Sequence, residues 1–159
     1  MQSLTRGPVT TAMIDFASDS AIVPRAAVSA AIFRDGRVLL VQRRRPPSAD
    51  VWSLPGGHIE PGEATLDAIH RELREETSVT ARIAKIIGAK DVIHRNDSGD
   101  LIFHRVIIVF CGEWLSGEPE AGDDAAAAGW YDPDALAGLA TTEGLAEIVR
   151  SAKMKLVGR

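Results

Sequence analysis

The stretch from Gly57 to Val79, GHIEPGEATLDAIHRELREETSV, contains five glutamates. Glu72, Glu75 and Glu76 stand at i, i+3 and i+4, a spacing that places three carboxylates on one face of an α-helix. Like charges at these spacings repel one another. A helix that gathers them is therefore expected to meet a cation, and hard divalent ions such as Mg²⁺ prefer carboxylate oxygens and substrate phosphates.

The same stretch predicts a helix from Ala64 to Thr77. Apolar residues at i, i+3 and i+7 are expected to pack on a sheet: Leu66, Ile69 and Leu73. The glutamates lie beside this stripe, so one helix can pack on a core and still present carboxylates in a cleft. Arg71 precedes Glu75 by four residues, which permits an ion pair that orients this carboxylate.

Short apolar runs on both sides of this helix predict strands. Before it, Ala26–Phe33 and Val38–Val41 flank Asp35-Gly36, a strong tight-turn signal, and so predict a hairpin. After it, three further strands are expected at Thr80–Arg95, Leu101–Trp114 and Ala125–Trp130, with a loop at Asn96–Asp100 between the first two. Strands around a central helix indicate the α/β (α+β) class.

Two helix starts are expected near the end of the chain. Asp132-Pro133 has a capping residue followed by the residue favoured at the first helical position. Thr141 or Thr142 is expected to cap a last helix. The whole pattern predicts a mixed β-sheet between helices.

Composition limits the partners and the compartment. The chain has 159 residues and a net charge of −4, which argues against a duplex nucleic acid as partner. No apolar stretch is long enough for a membrane span. The single cysteine, Cys111, lies in an apolar run and is expected in the core. A cytoplasmic location is the simplest expectation.

Residues 1–24 have no sustained periodicity and are expected to form an arm, flexible or docked on a second subunit of a homodimer. The remaining residues, 25–159, are expected to form one domain.

A glycine-rich turn, Pro55-Gly56-Gly57, and an arginine run precede the helix. Arginines in a row are often a solvated edge, but Arg43 and Arg44 are also placed to grip phosphate oxygens. No Cys/His grouping has zinc-finger spacing. These features together predict metal-assisted attack on a phosphate ester or anhydride.

Residues 57–79 closely resemble the signature of the Nudix hydrolases, G-x5-E-x7-R-E-U-x-E-E-x-G-U, where U is aliphatic. The matching residues are Gly57, Glu63, Arg71, Glu72, Leu73, Glu75, Glu76 and Val79. One position departs from the signature, since Ser78 stands where the family has a late glycine. That glycine suits a positive φ at the helix exit, so an unusual backbone conformation is expected at Ser78.

The resemblance implies an α/β/α sandwich around a mixed β-sheet and hydrolysis of a nucleoside diphosphate linked to another moiety, X. It implies Mg²⁺ as cofactor, with Mn²⁺ as a substitute, and a small nucleotide as substrate. Glu72, Glu75 and Glu76 match the metal-binding glutamates, and Glu63 matches a supporting carboxylate. Arg71 matches an orienting arginine, and the Gly56 carbonyl matches a backbone ligand. The general base is expected to be Glu72 or Glu76, and the candidates outside the signature are Glu113, Glu118 and Glu120.

The identity of X depends on residues outside this signature. Residues 91–110 and the following acidic loop resemble a subgroup labelled ADP-ribose pyrophosphatases, whose products would be AMP and ribose 5-phosphate. The candidate substrate contacts are Arg43, Arg44, His104 and Asp123. Hydrolysis of nucleoside triphosphates for nucleotide-pool cleaning is an alternative, and a non-catalytic nucleotide-sensing module is another.

Overall fold

A computed structural model describes residues 21–46, 49–122 and 124–158. Its strands are β1 (Arg25–Arg34), β2 (Arg37–Arg43), β3 (Trp52–Ser53), β4 (Gly56–His58), β5 (Thr80–Arg95), β6 (Leu101–Ser116) and β7 (Ala125–Tyr131). Its helices are α1 (Thr65–Thr77), a 3-10 helix (Pro133–Gly138) and α2 (Leu145–Val157). The predicted arm, residues 1–24, lies largely outside the described residues and stays a prediction.

The strands form one mixed sheet in the order β3-β2-β1-β6-β5, with β4 paired to β1 and β7 paired to β2. β1 and β6 are parallel, and the other pairs are antiparallel. Asp35 and Gly36 both have positive φ in the β1–β2 turn, so the predicted hairpin is confirmed. β1 changes partner along its length, from β4 near its start to β2 at its end.

Each face of the sheet carries its own hydrophobic core. One core contains Leu145, Val149 and Ala152 of α2 and includes Cys111. The other core contains Ala68, Ile69 and Leu73 of α1. The expected α/β/α sandwich and the buried cysteine are therefore confirmed. No helix in the described ranges has the length and apolar character that a membrane crossing requires.

The predicted apolar stripe of α1 is only partly correct. Ile69 and Leu73 are fully buried, whereas Leu66 is 50% exposed. Leu66 lies in the first turn of the helix and is not among the core residues on that side of the sheet. Periodicity gives the direction of a side chain about the helix axis, but it does not say how far along the axis the core extends.

The predicted cap of the last helix is wrong. α2 begins after Gly144, which has a φ of 76° and no capping side chain. Thr141 instead forms an isolated bridge with Trp52, and the Thr142 N–H donates to the Trp52 carbonyl at 2.9 Å. The threonines therefore extend the edge of the sheet at β3. The predicted cap at Asp132 is confirmed, since its side chain accepts from the Asp134 N–H at 2.9 Å.

Helix α1 ends in a left-handed residue beside the loop that follows β6. Ser78 adopts the left-handed conformation, with φ 58° and ψ 12°, and its N–H donates to the Arg74 carbonyl. The loop then supplies two donors to the end of the helix, since the N–H groups of Glu120 and Gly122 bond the carbonyls of Thr77 and Glu76 at 3.0 Å. These bonds satisfy carbonyls that a helix end leaves without partners.

Replacing Ser78 by glycine should stabilise the protein by about 0.5 to 1 kcal/mol, because the Cβ penalty of the left-handed conformation exceeds the entropy that glycine adds to the unfolded chain. Denaturant unfolding measures this change. Ser98→Gly is the matched control, since Ser98 does not have a positive φ and should gain nothing. A Ser78→Gly protein no more stable than the wild type would contradict this account of the helix exit.

Candidate active site

The glycine turn before α1 and the glutamate face of the helix meet at very short range. A Cβ built on Gly57 would overlap the carboxylate of Glu72. Position 57 therefore accepts only glycine while Glu72 keeps its place. Gly57 lies in β4, opposite Val28 of the central strand β1, so the sheet fixes the position of the turn.

Glu76 reaches the same turn from one helical turn further along. Its Oε2 accepts the Gly56 N–H at 2.9 Å. Burial raises the pKa of Glu76 to about 7; the bond from Gly56 opposes this rise, and the charge of Glu72 adds to it. Burial also raises the pKa of Glu72, against the bond from Arg71. Two partly buried carboxylates thus converge on one glycine turn.

Arg71 joins the remaining acidic residues. Its Nε and Nη2 donate to the two carboxylate oxygens of Glu63 at 2.8 and 2.9 Å. Its Nη1 donates to Glu72 at 2.8 Å and to Glu75 at 3.1 Å. Nη2 also donates to the His58 carbonyl at 3.0 Å. The predicted ion pair with Glu75 is therefore present, and it is one of three ion pairs that Arg71 forms.

This guanidinium has a clear electrostatic effect on its partners. Its hydrogen bonds lower the pKa of Glu63 to about 2, and the Glu60 N–H adds to the effect. Glu63 is also fixed by that backbone bond, at 2.9 Å. The side chain of Glu75, by contrast, is 60% exposed. Glu63 is thus held ionised by Arg71, whereas most of the Glu75 side chain is in solvent beside its bond to Arg71.

The donor chemistry of this site fits a hard divalent cation. Glu72 and Glu76 offer partly buried carboxylate oxygens at a turn with no room for a Cβ, and oxygen is the ligand that Mg²⁺ prefers. Across the described residues, no three acidic, histidine or cysteine side chains are already grouped for metal binding. Arg71 bonds both Glu72 and Glu75. Glu75 could therefore become a third metal ligand only by giving up its bond to Arg71.

The residues expected to contact substrate lie in different places. Arg43, at the end of β2, is close enough to Glu76 that its charge lowers the pKa of this carboxyl. Its buried Nε has no partner among the described residues. Arg44 is exposed, and its N–H lies 3.4 Å from the Asp124 carbonyl. His104 bonds Asp91 at 2.8 Å across the β5–β6 hairpin. Asp123 lies outside the described residues.

Two arginines near Arg43 were not among the substrate contacts predicted from the sequence. Arg25 begins β1 and is paired in register with Arg105 of the parallel strand β6. They are 80 residues apart in sequence; Arg25 belongs to no motif, and Arg105 lies in the stretch 91–110 but was not singled out there. The strand pairing is the only signal that joins them, and the sequence does not specify that parallel register.

Known proteins resemble this chain in sequence and in fold. Residues 23–151 match the NUDIX domain family. An ADP-ribose pyrophosphatase of Methanocaldococcus jannaschii is 35% identical over 117 residues, which cover 74% of this chain and 67% of that protein. The CTP pyrophosphohydrolase of Escherichia coli is 36% identical over 78 residues, 48% of this chain and 55% of that protein.

A solved structure, that of a MutT Nudix hydrolase from Burkholderia pseudomallei, has a TM-score of 0.70 and 33% identity, covering 81% of this chain and 98% of that one. The family match, the relatives and the fold agree with the glutamates and the glycine turn of the site. The chain therefore belongs to the Nudix family of hydrolases and is an enzyme of the pyrophosphohydrolase type.

Proposed function

We propose that this protein hydrolyses the pyrophosphate bond of ADP-ribose and releases AMP and ribose 5-phosphate. The observation that carries the choice of substrate is the relative named ADP-ribose pyrophosphatase, which matches 74% of the chain at 35% identity. The convergence of Glu72 and Glu76 on one turn supports the chemistry, because phosphoanhydride hydrolysis needs a centre that neutralises phosphate charge.

The metal is proposed to be Mg²⁺, with Mn²⁺ as a substitute. Glu72 and Glu76 would hold it, and Glu75 would be a third ligand in place of its bond to Arg71. The Gly56 carbonyl is a further proposed ligand, and Glu63 supports the site through its bonds to Arg71. When bound, such an ion neutralises phosphate oxygens and lowers the pKa of water.

The chain's own residues position the reaction. Arg71 fixes the orientation of Glu72, since its Nη1 is shared between Glu72 and Glu75. The general base that accepts the proton of the attacking water is proposed to be Glu72 or Glu76. A carboxylate accepts this proton when it is ionised and lies within hydrogen-bond reach of the water. Arg43 is proposed to bind phosphate oxygens beside them.

A second candidate substrate class is nucleoside triphosphates. The relative named CTP pyrophosphohydrolase supports it, although that match covers 48% of this chain. A nucleotide-sensing role without catalysis has less support, because a module that only binds has little use for two buried carboxylates at one turn.

A substrate panel decides between these candidates. With Mg²⁺ present, ADP-ribose should be cleaved to AMP and ribose 5-phosphate with the highest kcat/KM of the panel, and chelation of the metal should abolish turnover. The panel includes sugar nucleotides, CTP, oxidised guanosine triphosphates and dinucleoside polyphosphates, with products separated by ion exchange. Fast triphosphate hydrolysis without turnover of ADP-ribose would overturn the proposed substrate.

Replacing Gly57 by alanine should lower kcat/KM about 100-fold, because the new Cβ displaces the Glu72 carboxylate and small misplacements of a catalytic group have effects of this size. Gly88→Ala is the matched control, since a Cβ there meets no atom within 4 Å. Steady-state kinetics measure the change, and circular dichroism checks the fold. Wild-type activity in Gly57→Ala would remove Glu72 from the proposed site.

The stabilising effect of Mg²⁺ should depend on pH. The pKa of Glu76 is raised to about 7, so in the metal-free protein this carboxyl is protonated below that pH and must lose its proton to bind metal. The contribution of Glu76 to the stability of the metal-free protein should therefore be lost as the pH rises through about 7, while the rise in Tm caused by Mg²⁺ should grow.

Thermal unfolding at about pH 5 and about pH 8, with and without Mg²⁺, measures this dependence. Glu76→Gln should show a smaller rise in Tm at both values, whereas Glu147→Gln, an exposed change on α2, should behave like the wild type. A rise in Tm that is equal at both pH values in the wild type would contradict the role of Glu76.

A further inference from the structure

A group of basic side chains lies beside the proposed catalytic site. Arg25 and Arg105 are registered partners on the adjacent parallel strands β1 and β6, so their side chains leave the same face of the sheet side by side. The Arg105 guanidinium lies 4.6 Å from the centre of the Phe103 ring. This contact fixes one of the two arginines in place.

Two more basic groups accompany this pair: Arg43 at the end of β2, and His58 of β4, whose strand partner Ala27 lies two residues after Arg25 on β1. Burial lowers the pKa of Arg105, and the charges of Arg43 and then Arg25 lower it further. Burial also lowers the pKa of His58, followed by the charges of Arg105 and Arg25. We call Arg25, Arg43 and Arg105 the arginine cluster. The charge of Arg43 also lowers the pKa of Glu76.

The arginine cluster has no ion-pair partner in the described part of the chain. The arginines that do form ion pairs there are Arg34, Arg45, Arg71 and Arg82. The Nε of Arg43 is buried and makes no hydrogen bond with a described residue. Buried donors are normally satisfied, and like charges held together without a counter-ion are unfavourable.

A planar, always charged guanidinium binds phosphate oxygens through paired N–H bonds. We propose that the arginine cluster is an anion-binding subsite for the phosphate groups of the nucleotide substrate, with Arg25 and Arg105 as substrate-positioning residues. This inference rests on the proposed function and extends it, because it assigns the phosphate contacts to two strand residues outside the signature stretch.

Inorganic pyrophosphate tests the subsite apart from catalysis. Calorimetry in the presence of a chelator, without metal, should detect binding to the wild type that weakens as salt rises. Arg105→Ala should lower the affinity at least about tenfold, through the loss of charge-assisted bonds. Arg105→Lys should recover part of it. Arg95→Ala is the charge-matched control, since Arg95 bonds the Gly99 carbonyl in the hairpin loop, and it should bind like the wild type.

Steady-state kinetics supply the second readout. Arg105→Ala should raise KM for the nucleotide about tenfold or more, with a smaller change in kcat. Arg25→Ala, a change at an exposed residue, should also raise KM. It replaces Arg105→Ala as the test if that variant fails to fold. Unchanged KM and unchanged pyrophosphate affinity in both variants would overturn the subsite.

The two proposals fail in different ways. If the wild type cleaves no nucleotide but loses pyrophosphate binding on Arg105→Ala, the proposed function falls and the anion subsite stands. If the wild type cleaves ADP-ribose and the arginine variants match it in KM and in pyrophosphate affinity, the subsite falls and the function stands.

Discussion

The contact between the Gly57 backbone and the Glu72 carboxylate is the constraint on which the rest of the site depends. There is no room for a Cβ between them. This approach requires β4 to lie on the central strand β1 and α1 to pack on the same side of the sheet through Ile69 and Leu73. The fold thus serves to bring one helical face against one glycine turn.

Arg71 explains how this helix tolerates its acidic face. A single guanidinium donates to Glu63, Glu72 and Glu75 and also to a backbone carbonyl. Such sharing offsets the repulsion between neighbouring carboxylates. Glu76 is outside this network and has the Gly56 N–H as its partner. The two partly buried carboxylates are therefore stabilised by different groups, although the charge of Glu72 still raises the pKa of Glu76.

Features encoded by adjacent residues were predictable from the sequence. The Asp35-Gly36 turn, the limits of α1 to within one residue and the left-handed exit at Ser78 all depend on local chemistry. Features that depend on tertiary packing were not. Leu66 is exposed because the core ends before it, and Thr142 bonds β3 rather than capping α2.

The arginine cluster shows the same limit for function, because a parallel register joins Arg25 to Arg105 across most of the chain. Glycine spacing and helical periodicity could place the glutamates but not these arginines. The sequence therefore predicts the glutamates and Arg43 of the proposed site, and the structure adds Arg25 and Arg105.

The central claim is that Glu72 and Glu76, held at the glycine turn, bind the divalent ion. Electron paramagnetic resonance of Mn²⁺ measures this directly, because the signal of the free ion falls on binding. Wild-type protein should bind Mn²⁺ and Mg²⁺ should compete, whereas Glu72→Gln and Glu76→Gln should each weaken binding at least about tenfold, through the loss of a carboxylate ligand. Wild-type affinity in both variants would contradict the account.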